Sequence, residues 1–184
     1  MEYNKGYFMK AVTVVYDSRE QKNTHIIAAL SEMGVETEQR KLDFGDYSFT
    51  AEGRDFTMSC VIERKANVDE IYNNIMHDHE RLEKEFRAAM LLSRDFTLLI
   101  ENIGSWEALK TYNVPEKNML NRPERKVQAI GAHVYATLKE WKAANSYNFN
   151  TEFSEDNRRT AAKMLEIFYF YWKNYKVLTA ARKG

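Results

Sequence analysis

The stretch Cys60-Val-Ile-Glu-Arg-Lys65 constrains this chain more than any other, because it begins as a buried strand and ends in three charges. Side chains alternate along a strand, so Val61, Glu63 and Lys65 share one face, while Cys60, Ile62 and Arg64 share the other. An acid and an ammonium therefore point the same way, with a guanidinium behind them. A carboxylate can hold a hard cation such as Mg²⁺ through oxygen, and a lysine two residues on can orient or help deprotonate water beside it. One carboxylate rarely suffices for a metal. Asp46, in Gly45-Asp-Tyr-Ser-Phe49, is the natural second, because antiparallel neighbours bring the start of one strand near the end of the next.

The surroundings read as a mixed sheet covered by helices, hence an α/β fold. Residues 11–17 form an apolar, β-branched run that ends in an acid, and residues 23–34 carry Ile26, Ile27, Leu30 and Met33 on one helical face with Gly34 as a stop. Residues 35–42 look like a second strand. Residues 45–65 look like two more, joined by a turn at Glu52-Gly53, and together they suggest a meander. Val68 to Leu92 reads as one long helix opened by Asn67 and Glu70, and residues 96–101 form another buried strand. A short helix around Trp106, a helix from Pro123 to Trp141, a strand at 147–150 and a helix from Glu155 to Tyr175 complete the pattern. Asp17, Glu63 and Glu101 all fall at strand ends, where ligand sites of such sheets form.

Composition sets the outer limits. With 44% hydrophobic residues, two prolines and seven glycines, a disordered chain is excluded, and 29% charged residues argue against a membrane protein. There is no apolar run of signal-peptide length, so an intracellular location is expected. Cys60 is the only cysteine, which rules out an internal disulfide and any multi-cysteine zinc site. Net charge is zero but unevenly placed: residues 1–104 carry 13 Lys/Arg against 19 Asp/Glu, and residues 105–184 carry 14 against 8. Acids thus collect where the chemistry is expected, and the basic excess could hold phosphates. His77 and His79 lie about 200° apart on a helix and cannot share a metal as an i, i+4 pair would.

Four segments, residues 14–20 (VVYDSRE), 44–49 (FGDYSF), 61–69 (VIERKANVD) and 98–101 (LLIE), resemble in sequence and order the nuclease domain of the XPF family of structure-specific DNA endonucleases. That family belongs to the restriction-endonuclease-like PD-(D/E)-x-K group. Four fixed positions of E-R-K-x-x-x-D would arise in 184 residues by chance on the order of 0.2% of the time at about 6% per residue. The resemblance implies a mixed central sheet flanked by helices on both faces. It implies Mg²⁺ or Mn²⁺ held by Asp46 and Glu63 with support from Asp17, and Lys65 holding the attacking water or the scissile phosphate. Arg64 is expected to pair with a carboxylate or reach DNA, Glu20 to support the metal, and Asp69 to serve either the signature or the helix N-terminus.

The same resemblance implies DNA as partner, branched or partly single-stranded, and a homodimer. Phe170 and Tyr171 extend the apolar girth of the last helix, which suits ordinary core packing or, alternatively, the surface of such a pair. Arg122, Arg125, Lys126, Arg158, Arg159 and Lys163 are the phosphate-contact candidates. One nuclease domain is expected over residues 1–184, with its motifs in 12–101 and a helical part in 105–176. No helix-hairpin-helix or helicase module is expected, and no phosphate-loop motif suggests ATP. The competing expectation is an inactive nuclease fold that binds DNA or scaffolds a partner. RNA as substrate is a third.

Overall fold

A computed structural model of the chain describes residues 4–93, 95–113, 129–143 and 148–182. The sheet is built from β1 (Val12–Asp17), β2 (Glu36–Arg40), β3 (Tyr47–Ala51), β4 (Arg54–Asp55), β5 (Cys60–Lys65), β6 (Asp95–Glu101) and β7 (Asn150–Ser154). Its order is β2-β1-β3-β5-β6-β7, with β4 beside β3. β1 runs parallel to β2 and antiparallel to β3, β3 is antiparallel to β5, and β5, β6 and β7 are parallel. The sheet is therefore mixed, as expected, but it is not a meander: β2 pairs on the far side of β1 from β3. The helix between β1 and β2 makes this possible, because a parallel neighbour needs a crossover.

The Glu52-Gly53 turn is where the sequence places it. Both residues have positive φ, 53° and 72°, as a two-residue hairpin between right-twisted strands requires.

Helices cover both faces. On one side α1 (Lys5–Ala11), α2 (Thr24–Glu32) and α7 (Thr160–Ala181) bury Phe8, Ile26, Leu30, Met164, Leu165, Phe168 and Trp172 against Val14, Tyr47, Phe49 and Ile62. On the other, α3 (Val68–His77), α4 (His79–Leu92), α5 (Trp106–Thr111) and α6 (Ile130–Ala143) bury Ile71, Leu82, Phe86, Leu109, Val134 and Leu138 against Val61, Leu98 and Ile100. β5 and β6 are covered on both faces and read as continuous apolar runs for that reason. Among the described residues no helix is long and apolar enough to cross a membrane.

Three elements depart from expectation, among them β7, which runs Asn150–Ser154 where the strand was expected at 147–150. The helix read as continuous from Val68 is two, because Asp78, at φ −123° and ψ 28°, closes α3 with its N–H on the Asn74 carbonyl and opens α4. No Gly or Pro announces that break. α1 was not expected; Asn4 caps it by accepting from the Tyr7 N–H, and Phe8 packs on Phe49, Tyr169 and Trp172. The aromatic surplus of the last helix is mostly core, as one of its two readings had it: Tyr171 and Tyr175 meet Phe56 edge-on, while Phe170 is exposed. Val177 and Leu178 are exposed on the same helix.

Candidate active site

The pairing of Tyr47 with Ile62 decides the geometry. It sets Asp46 beside Glu63 on adjacent strands, and alternation turns both toward the face that carries Val61. Backbone bonds hold the junction: the Asp46 N–H donates to the Ile62 carbonyl at 2.9 Å, and the Asp17 N–H donates to the Asp46 carbonyl at 2.8 Å. Gly45 makes the approach possible. Its φ is 69°, and a Cβ there would overlap the Val61 side chain.

Each of the two acids has one oxygen engaged. Asp46 Oδ2 accepts from the Arg64 N–H at 2.8 Å, and Glu63 Oε1 accepts from Lys65 Nζ at 2.8 Å. Asp46 Oδ1 and Glu63 Oε2 have no partner among the described residues. Burial, followed by the charge of Glu63, pushes the Asp46 carboxyl well above the usual carboxylate range, against the pull of the Arg64 N–H. Burial alone would lower the Lys65 ammonium, which is only 5% exposed, but the charge and hydrogen bond of Glu63 outweigh it and hold Lys65 protonated. Two carboxyl groups set together beside a buried amine, one of them resisting ionisation, form an arrangement that a cation would relieve.

The oxygen donors are hard and fit Mg²⁺ or Mn²⁺. Among the described residues no three His, Cys, Asp or Glu side chains converge around one point. Asp46 and Glu63 would supply two ligands and water or phosphate the rest, which is the usual manner of Mg²⁺.

The other expected residues take distinct places. Both oxygens of Asp17 are used: they accept from Arg19 Nε at 2.7 Å, from Arg19 Nη2 at 3.0 Å, and from the backbone N–H groups of Arg19 and Leu42. Burial opposes the Asp17 charge, but these donors hold its carboxyl below the usual range. Arg64 reaches the opposite face, where Glu20 and Glu101 each accept from it at 2.7 Å. Glu101 also meets His25 Nε2 at 3.0 Å. The acids at the strand ends therefore divide between the two faces, Asp17 and Glu63 on one, Glu101 on the other. Asp69 accepts from the Tyr112 hydroxyl at 2.8 Å, tying α3 to the end of α5.

Two residues near the site were missed. Arg19 sits in the same sequence segment as Asp17 and Glu20, and its side chain, gripped by Asp17, stays 64% exposed within the field of Asp46. Glu85 comes from α4, in sequence an ordinary surface helix. Of the phosphate-contact candidates, Arg159 faces Glu155 at 3.3 Å and Lys163 faces Glu166 at 3.0 Å, so both charges are locally offset. Arg158 is exposed. Arg122, Arg125 and Lys126 lie outside the described residues. His79 stacks edge-on against Trp141, and Cys60 is a buried free thiol.

The family model described as the ERCC4 domain matches residues 16–167. The chain belongs to the ERCC4 domain family. The structure of this ERCC4 domain is similar to that of XPF from Aeropyrum pernix, with a TM-score of 0.60 and 17% identity over 91% of this chain and 69% of that one. It is similar to the same XPF in complex with DNA, with a TM-score of 0.61 and 17% identity over 88% and 66% of the two chains. At that identity the likeness establishes the fold, a restriction-endonuclease-like α/β sheet. No curated protein sequence matches the chain.

Proposed function

We propose that this ERCC4 domain is a divalent-metal-dependent endonuclease that hydrolyses phosphodiester bonds in branched, flapped or junction DNA. The observation that carries the reading is the Asp46–Glu63–Lys65 constellation: two carboxylates side by side on neighbouring strands, each with a free oxygen, and a protonated amine 2.8 Å from one of them. Mg²⁺ or Mn²⁺ would supply a Lewis acid and a bound water of lowered pKa. Asp46 and Glu63 orient the attacking water, and Lys65 steers it or the scissile phosphate. Arg19, whose Nε and Nη2 are held by Asp17 and the Leu42 carbonyl, stays exposed and would have only its remaining N–H groups for phosphate oxygens. A second copy of the chain is the partner we assign to the exposed Phe170, Val177 and Leu178, since a duplex presents two strands.

The test is cleavage of DNA duplex, flap, junction and RNA substrates with Mg²⁺ or Mn²⁺. Asp46→Ala and Glu63→Gln are expected to lose cutting on the order of 10³-fold, about 4 kcal/mol of barrier, with circular dichroism unchanged. Variants that cut flaps as well as the parent would refute the reading. Mn²⁺ binding by the parent with no cleavage of any substrate would favour a binding or scaffolding role.

A further inference from the structure

Glu85 lies outside every motif that points to the site. α4 packs Leu82, Phe86 and Ala89 onto the sheet face that carries Val61 and Leu98. Glu85 adjoins Phe86 and precedes Ala89 by one turn, so the helix holds it, half-buried, at the border of that apolar stripe. There its charge acts on Glu63 and Lys65 and on Arg19, and Arg19 in turn feels Asp46 and Glu85. No hydrogen bond or ion pair forms at the Glu85 carboxylate among the described residues. Glu83, two residues earlier, is bound to Arg87 at 2.7 Å.

An unpartnered, half-buried carboxylate is costly, and burial together with Glu63 pushes this one above its ordinary range. Glu63, Lys65 and Arg19 all lie within reach of its charge, and Asp46 acts on the same Arg19, so helix α4 adds a further carboxylate to the group around Asp46 and Glu63.

We infer that Glu85 is a positioning residue of the cation site, a third carboxylate supplied by helix α4 that acts through the water shell of the ion held by Asp46 and Glu63. This rests on the metal-centre reading above. Direct ligation is not required, because Mg²⁺ and Mn²⁺ keep waters whose protons an outer carboxylate can accept.

Calorimetric titration of the full chain with Mn²⁺ tests the inference, using Glu85→Gln, Glu63→Gln and Glu83→Gln as variants. Outer carboxylates of metal sites typically contribute 10–100-fold in affinity, and a loss in roughly that range is expected for Glu85→Gln, with Glu83→Gln like the parent. In chelator, Glu85→Gln should unfold at the same or higher urea concentration than the parent, which a residue of purely structural value would not do. Mn²⁺ affinity within twofold of the parent in Glu85→Gln, alongside its loss in Glu63→Gln, would overturn the role of Glu85 alone. Parent-like affinity in Glu63→Gln as well would remove the metal centre, and this inference with it.

Discussion

Replacing Gly45 by alanine should damage the fold and the chemistry through one displacement. The residue has a φ of 69°, a conformation that costs an L-amino acid about 1–2 kcal/mol. The new methyl would overlap Val61 Cγ1 and lie 3.2 Å from the Ile62 carbonyl oxygen, and overpacking of this kind typically costs about 1–3 kcal/mol. Together they suggest a loss of about 2–5 kcal/mol, a fall in Tm of roughly 4–20 °C for a chain of this size. The overlap can be relieved by moving residues 45–46 away from β5, which stretches the Asp46 bonds to Ile62 and Arg64 and separates Asp46 from Glu63. A shift of about 1 Å in a catalytic group can cost on the order of 10²-fold in rate. Thermal unfolding and flap cleavage at 20 °C, where the variant remains folded, measure the two effects. Gly53→Ala is the control: φ is 72° but the space is open, so only the conformational cost of about 1–2 kcal/mol applies and cutting should persist. Gly45→Ala with parent-like Tm and rate would refute the claim that this close approach positions Asp46.

Three further outcomes are expected. In chelator, Asp46→Asn should be more stable than the parent at pH 7. The raised folded-state pKa of Asp46 gives stability that is present below the unfolded value of about 3.9 and lost as pH rises through the folded one, so the gap should close toward pH 4 in urea titrations; a parent more stable at pH 7 would contradict this. Arg64→Met leaves Glu20 and the 1%-exposed Glu101 without their shared cation and should cost about 3–5 kcal/mol in urea unfolding, with Arg64→Lys recovering only part because one ammonium cannot reproduce the fork; parent-like unfolding of the Met variant would rule this out. Tyr112→Phe should lose about 1 kcal/mol of stability with cleavage within twofold; a large fall in rate would draw the Asp69–Tyr112 pair into the chemistry.

Strong local periodicity made much of the site legible. Alternation in β5 told which charges share a face, and the Glu52-Gly53 turn told that the chain returns, so Asp46 could be placed beside Glu63 before any coordinates. Elements fixed by distant contacts were not legible. The Asn4 cap is a slight local mark of α1, which is held by Phe8 docking on residues about 40 and 160 positions away. The place of β2 beyond β1 depends on strand order, which hydrophobic pattern does not encode, and the break at Asp78 lacks the usual breakers. Glu101 looked like a companion of Glu63 because both end apolar runs, but its pairing with Arg64 sets it on the reverse side. Glu85 could have been found from its spacing to Leu82, Phe86 and Ala89, which places it at the edge of a buried stripe where an acid is unexpected.

β5 presents its acid and amine at positions 63 and 65 on one face, paired with each other, and its guanidinium at 64 on the other, held by Glu20 and Glu101. A single-residue insertion or deletion within this strand would turn every side chain past it over, delivering arginine to the side of Asp46 and sending glutamate and lysine among the groups that should grip it. Such a slip would exchange two incompatible environments instead of weakening one. The segment should therefore tolerate altered side chains far better than altered length.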